Sequence, residues 1–425
     1  MAEAGGPLAG SGQGEPQVEF RRGGWRELLR NRRFLLLELS GALSSAGYAV
    51  YSVSVLFLAY GITGNLLIAG FVLFIEYGVY TLTFLIAPWV DRAPDKRTIL
   101  LVCFPVQAAV SGLIAFEIAR GTLTVPVLLA AVLVLALLWD FAWAVYMIAP
   151  RMVVEKRLLF AANGVSSAIG VGTQVGGYAG GGALVYFVGP EGGATAYAIL
   201  LLAAAVATVP LSLRLAGSQA PSRFIESFRE GWAAFRGRAG RALRQFAAVE
   251  VLYGFFAALP PLFLTAIAYE RFDDPAAAYG ILVTAYAVGG SVGGIVVGHY
   301  NPRRSVGTLI VTMTLAGGVL TLLLIPSPAS ALVLAGIFAT VGAVFSVRYD
   351  AKYTWVRGTF PPETLGRMVS NVYLFTGVSQ TVGALVIGFV SPSVSLTALL
   401  LFGGAGLIVA GLVAFSVPFI RRLSF

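Results

Sequence analysis

Gly170 to Gly182 reads GVGTQVGGYAGGG, and seven of these thirteen residues are glycine. The stretch lies inside a longer apolar run, 158–188, long enough to cross a hydrocarbon core of about 30 Å. Glycine weakens a helix in water by roughly 1 kcal/mol relative to alanine, so this density needs a reason. In lipid the reason is packing, because small residues let two helix backbones approach closely. The stretch predicts a membrane helix that packs tightly on a neighbour or slides over it in a protein that changes shape.

The rest of the chain has the same character. It has 425 residues, 58% hydrophobic and 12% charged, with a mean hydropathy of +0.84. Those values belong to a polytopic membrane protein. Apolar runs fall at 34–60, 64–90, 98–118, 123–149, 158–188, 193–215, 245–268, 275–299, 304–325, 328–348, 367–391 and 394–419. They predict an all-α membrane protein of twelve spans. Residues 1–20 are polar and rich in Gly and Pro, without the apolar core of a signal peptide.

The charges give a second reading of topology. With the N-terminus cytoplasmic, 27 of the 29 Lys and Arg fall on the cytoplasmic side, and only Arg120 and Arg271 fall opposite. A wrong span count would scramble that alternation, so the positive-inside rule supports twelve spans with both termini cytoplasmic in the cell membrane. The net charge of +9 is then a matter of topology and gives no reason to expect nucleic acid.

One long hydrophilic segment, 216–244, divides the spans six and six. Within it Phe224, Phe228, Trp232 and Phe235 recur at helical spacing against a basic face, which predicts an amphipathic helix on the membrane surface. The expected organisation is a tail at 1–33, a six-helix bundle at 34–215, the linker, a second bundle at 245–419 and a tail at 420–425. The bundles echo each other. Arg32-Arg33-Phe34 leading to Glu38 returns as Arg244-Gln245-Phe246 leading to Glu250, and Leu159 with Gln174 returns as Leu365 with Gln380. Parallel repeats of this kind are an architecture of alternating-access carriers.

Other classes lack their residues. The lone Cys103 excludes an internal disulfide, and one histidine, His299, with no acid cluster gives no metal site. None of the three lysines follows a glycine-rich loop, so no Walker phosphate loop is present. No cofactor and no enzymatic chemistry are expected.

Residues 25–420 resemble the major facilitator superfamily. The loop APWVDRAPDKR, 87–97, is similar to that family's signature between spans 2 and 3: Asp91, Arg92, Lys96 and Arg97 fit, with Ala87 and Asp95 in place of two glycines. Gly172, Gly176, Gly177, Gly180 and Gly181 resemble the fifth-span antiporter motif, with Gly177 at its proline position. Because the matching stretch of span 11 keeps only Gly377, Gly383 and Gly388, they are expected to form a seam against the other half that opens and closes. The resemblance implies exporters rather than uptake symporters. LLRNRRFLLLELSGALSS, RMVVEKRLLFAANGVSSAIG and RGTFPPETLGRMVSNV are similar to the macrolide- and siderophore-efflux branch. Span 4 departs from the drug antiporters, carrying Asp140 where many have a mid-span arginine.

Charges inside a membrane are costly and mark function. Glu76 and Asp140 are the deepest acids, without a basic neighbour in their own spans. They are candidates for proton coupling, or else inert acids hydrogen-bonded to a neighbouring helix. Glu38 and Glu250 lie about one turn inside the cytoplasmic boundary at matching places, as parts of an inner gate or as anchors for nearby arginines.

Tyr77 and Tyr80 share a face with Glu76, and Trp139 and Trp143 share one with Asp140. An acid framed by rings suits an amphipathic or cationic organic cargo, whereas rings alone are ordinary packing. Asn371, Tyr373 and Gln380 offer polar contacts from span 11. The 87–97 loop is expected to act as a latch, with Asp91 facing the N-terminus of span 11 and Arg92 and Arg97 pairing to acids across the boundary. The expectation is a monomeric proton-coupled exporter in the lipid bilayer, moving amphipathic or cationic small molecules. Nutrient uptake and lysolipid translocation are the alternatives.

Overall fold

The computed structural model describes residues 25–214, 240–299, 306–359, 362–421 and 423. Every regular element among them is helical. The first half comprises α1 (Arg32–Thr63), α2 in two pieces (Leu67–Thr81 and Thr83–Arg92), α3 (Lys96–Ala119), α4 (Val125–Ile148), α5 (Leu159–Phe187) and α6 (Pro190–Thr208). The second comprises α7 in two pieces (Gly240–Ala257 and Pro260–Arg271), α8 (Pro275–His299), α9 (Val306–Leu323), α10 (Ala331–Thr359), α11 (Pro362–Val390) and α12 (Leu396–Ser416). Ten of these spans are long and apolar enough to cross a membrane on their own. The other two are α2, which is broken, and glycine-rich α5.

Local chemistry sets the ends. Asn31 caps α1 by accepting from the Phe34 N–H at 3.2 Å, and Gly64 ends it in the left-handed region that glycine adopts without a Cβ clash. Asp95 caps α3, and Ser395 caps α12 through the Ala398 N–H at 3.3 Å. The break in α7 precedes Pro260-Pro261, two residues without an N–H to continue the ladder. At the break in α2, Thr81 and Thr83 turn their hydroxyls back onto the Tyr77 and Tyr80 carbonyls, each at 2.6 Å.

The halves pack by the same rules. α1 lies against α5 and α6 as α7 lies against α11 and α12, and α3 against α6 as α9 against α12. Two pairs make most of the contact between the halves, α2 with α11 and α5 with α8, and α1 adds smaller contacts with α7 and α8. Exchanging each helix for its counterpart turns one pair into the other, so the twofold likeness of the repeats holds at the interface itself.

The interface is tight at one end. Around the 64–66 and 272–274 turns, Tyr269 Oη donates to the Phe57 carbonyl at 2.8 Å and Tyr60 Oη to Glu270 Oε1 at 3.3 Å. The Tyr60 and Tyr269 rings stack at 4.5 Å. Just below, a Cβ on Gly70 would meet the Gly388 Cα at 2.6 Å, and one on Gly182 would overlap the Gly280 backbone. Toward the end carrying the 93–95 and 149–158 loops a cavity lies between the halves, with Ser167 of α5 and Arg348 of α10 in its wall.

One sequence expectation changes here, and one falls outside the described residues. α10 continues past residue 348, the predicted end of its span, to Thr359. Arg348 and Lys352 are therefore buried helix residues, 1% and 2% exposed, and not loop charges. The surface helix predicted around Phe224 and Trp232 lies outside the described residues.

Candidate functional site

The cavity between the halves has a volume of about 1310 Å³. Tyr77 and Tyr80 of α2, Ser167, Gln174 and Tyr178 of α5, and Tyr253 of α7 line it. From the rest of the second half come Tyr286 and Ser291 of α8, Arg348 to Tyr353 of α10, and Thr376 and Gln380 of α11. The wall is rich in tyrosine, which offers flat apolar area with a polar tip.

The charges on the wall come from α10. Arg348 and Lys352 are four residues apart and so share a face. Both reach Glu250 of α7: Arg348 Nη2 lies 2.7 Å from its Oε1 and Lys352 Nζ 3.0 Å from its Oε2. The Arg348 Nε donates to Thr314 Oγ1 at 2.8 Å, and its guanidinium sits over the Tyr253 ring at 3.2 Å. Lys352 Nζ lies 4.8 Å from the Tyr353 ring. Glu250 thus binds α7 to α10 inside one half. Its counterpart Glu38 is partly exposed and accepts from Ser166 Oγ of α5 at 2.6 Å, again inside one half.

Neither deep acid is part of the cavity wall. Asp140 is 2% exposed and accepts from Thr83 Oγ1 at 2.9 Å, which ties α4 to α2 just beyond its break. Glu76 is partly buried on α2. Its Oε1 is buried without a hydrogen-bond partner among the described residues, as are Tyr51 Oη and Gln107 Oε1. The phenols of Tyr48, Tyr51, Tyr178 and Tyr197 lie within electrostatic reach of it. Tyr178, hydrogen-bonded with Gln174 and Ser52, also faces the cavity, so it stands between Glu76 and the wall.

The predicted cavity residues divide accordingly. Tyr77, Tyr80 and Gln380 line the cavity. Trp139 instead stacks on Tyr48 at 4.2 Å, and Trp143 is 37% exposed on the outer surface. The side chains of Asn371 and Tyr373 lie outside the described residues. Sequence reasoning missed Arg348, Lys352, Asp350, Tyr178, Tyr253 and Tyr286. For the two bases the signal was present as an i, i+4 pair at the end of an apolar run.

The 87–97 loop is tied to its own half. Arg97 Nη1 donates to the Val209 and Leu211 carbonyls at 2.8 and 3.2 Å, at the end of α6, and so does not reach an acid across the boundary. Lys96 Nζ donates to the Ala93 carbonyl at 2.6 Å, and Arg92 lies 6.0 Å over Trp89. The Asp91 side chain lies outside the described residues. Asp95, read only as a glycine replacement, accepts from the Arg97 and Leu213 N–H groups at 3.0 and 3.2 Å and from Arg214 Nε at 3.3 Å. Partial burial opposes its charge, but those donors outweigh it and hold the carboxyl below its usual range.

The glycines of α5 serve two purposes. Cβ atoms on Gly177 and Gly181 would press on Ala46 and Val50 of α1, a seam within the first half. Gly172, Gly176 and Gly180 meet nothing within 4 Å of such an atom. Contact between halves passes instead to Gly182, just beyond the motif.

No protein-family model matches the sequence, and no curated protein matches it either. Solved structures do match its shape. A mutant form of the nucleoside transporter NupG superposes with a TM-score of 0.75 at 13% identity, over 90% of this chain and 99% of that one. A bacterial homologue of the iron transporter ferroportin, in an inward-facing state, gives 0.70 at 18%, over 93% and 100%. A POT family transporter in complex with a thioalcohol-conjugated peptide gives 0.67 at 12%, over 90% and 95%. At such identities the likeness is one of fold: twelve helices in two pseudo-symmetric bundles, the major facilitator fold.

Proposed function

We propose that the protein is a secondary-active transporter working by alternating access, and that it exports amphipathic organic compounds in exchange for protons. The observation that carries the reading is the cavity between two like halves, closed at one end by tyrosine and glycine contacts and reaching toward the other. Two bundles meeting around a central site can rock to open either end. We read the end toward which the cavity reaches as cytoplasmic from the positive-inside pattern, and take 34–215 and 245–419 as the two domains and a monomer as the working unit. Export rests on the α5 glycine pattern and the efflux-like passages.

The tyrosine wall supports an amphipathic cargo. A specifically cationic cargo loses its main support, because Glu76 and Asp140 lie off the wall and the wall carries Arg348 and Lys352. Glu76 remains the candidate proton carrier, with Oε1 buried and without a fixed partner, one tyrosine from the cavity. Asp140 is the weaker candidate, since Thr83 already satisfies one of its oxygens.

Purified protein in proteoliposomes with an imposed pH gradient tests this. An aromatic amphiphile should move against its gradient at the expense of the proton gradient, and Glu76→Gln should reduce that coupled flux at least tenfold. Flux that ignores the pH gradient in the unaltered protein would sink the proton assignment. No flux of any probe would sink the transporter reading.

A further inference from the structure

The cluster on α10 holds one more positive than negative charge. Arg348 and Lys352 share the single carboxylate of Glu250, and all three side chains are 3% exposed or less. Their other neighbours among the described residues are neutral: Thr314, Thr376, and the rings of Tyr253, Tyr349 and Tyr353. Asp350 lies two residues from each base and so does not share their helix face, and its carboxylate approaches Gly294 of α8. A surplus buried charge is expensive unless something pairs with it. Both bases border the cavity together with Tyr253 and Thr376, so the missing partner has a route in from the cavity.

The repeat sharpens the point. Glu38 occupies the matching place in the first half, at the offset of 212 set by the RRF and RQF starts. At the offset of 206 that relates α5 to α11, Arg348 and Lys352 correspond to Ala142 and Tyr146. Tyr146 Oη pairs with Ser40 Oγ at 2.8 Å, close to Glu38. The first half thus keeps the acid without either base, and the bases are not a requirement of the fold. Holding the bundle together would need one base for one acid. The second base needs another explanation.

We propose that Arg348 and Lys352 form an anion subsite in the cavity, which takes the carboxylate or phosphate of an amphipathic substrate whose apolar body lies on the tyrosine wall. Glu250 holds the bases apart from each other and in place, and the incoming anion supplies the second negative charge. Lys352, a flexible point charge with three donors, makes the new contact, while the Arg348 fork stays on Glu250 and Thr314. This rests on reading the cavity as the substrate chamber, and it narrows the cargo from amphipathic compounds to acidic or zwitterionic ones.

Two fluorescent probes that differ only in charge test it on the full chain in detergent: dansylglycine and its neutral amide, dansylglycinamide. The unaltered protein should bind the acid at least tenfold more tightly than the amide. Lys352→Gln leaves the Arg348–Glu250 pair in place and should erase that preference while keeping amide binding, whereas Lys352→Arg should retain it. Equal affinity for acid and amide in the unaltered protein overturns the subsite, as does a preference that survives Lys352→Gln. Binding of neither probe would instead overturn the cavity reading, so the two failures are distinguishable. Competition by lysophosphatidate but not by inorganic phosphate assigns the anion to a lipid headgroup. Competition by a free aromatic carboxylate such as 2-naphthoate, without lysophosphatidate, assigns it to a soluble acid.

Discussion

Glu250 is a carboxylate on which two bases depend, and its removal isolates both. Losing one member of a buried ionic cluster costs roughly 3–5 kcal/mol, because the remaining charges are left uncompensated. Glu250→Leu should therefore lower the thermal midpoint in detergent sharply. Glu38→Leu, which removes one partner of a Ser166 hydroxyl that also meets the Ala162 carbonyl at 3.0 Å, should change it little. Equal effects would mean that the second-half cluster is not the buried network described. Asp95 makes a different prediction. Its folded carboxyl titrates lower than an ordinary one, so its stabilisation is complete above an unfolded value of about 3.9 and is lost as pH falls through the lower folded value. Asp95→Ala should cost about 1 kcal/mol near neutral pH as a lost helix cap, and the gap to the unaltered protein should narrow below about pH 4.

Among the elements, α5 carries the most specific mechanical expectation. Its glycines read as a seam between halves, yet Gly177 and Gly181 bear on α1 of the same half and only Gly182 meets the other. Gly182→Val should force α5 and α8 apart at the closed end and abolish transport while leaving each bundle folded. Gly176→Leu faces open space, so it should leave the melting temperature unchanged. If Gly176 closes against the other half when the cavity faces the opposite side, transport should fall more than tenfold. Normal flux in Gly176→Leu would show that this position has no part in the cycle. α10 illustrates the limit of hydropathy. A window of apolar residues ends at its first charge, whereas the helix continues because Glu250, 98 residues away in sequence, meets that charge.

At the scale of the whole molecule, alternation between two states should be visible as opposite distance changes. The native Cys103 is buried, so introduced cysteines can be labelled without it. Spin labels at Gly61→Cys and Glu270→Cys sit at the closed end, and labels at Ala168→Cys and Tyr349→Cys flank the cavity. Adding a transported substrate should populate longer distances in the first pair and shorter ones in the second. Distances that never change in either pair would be incompatible with alternating access.

The sequence alone determined the twelve spans, their division six and six, and the repeat. Each follows from local composition: apolar length against membrane thickness, basic loops against topology, and paired motifs at fixed offsets. Glu38, Glu76, Asp140 and Glu250 were also visible, because an acid in an apolar run stands out without any knowledge of its neighbours. What each acid faces was decided only by the tertiary structure. Glu76 keeps a buried oxygen without a partner among the described residues, Asp140 finds Thr83, and Glu250 finds Arg348 and Lys352, two bases that read as loop charges until a distant helix supplied their counter-ion. A buried charge is stabilised by partners brought together across the chain, and that pairing is a property of the packed bundle, which no single span carries.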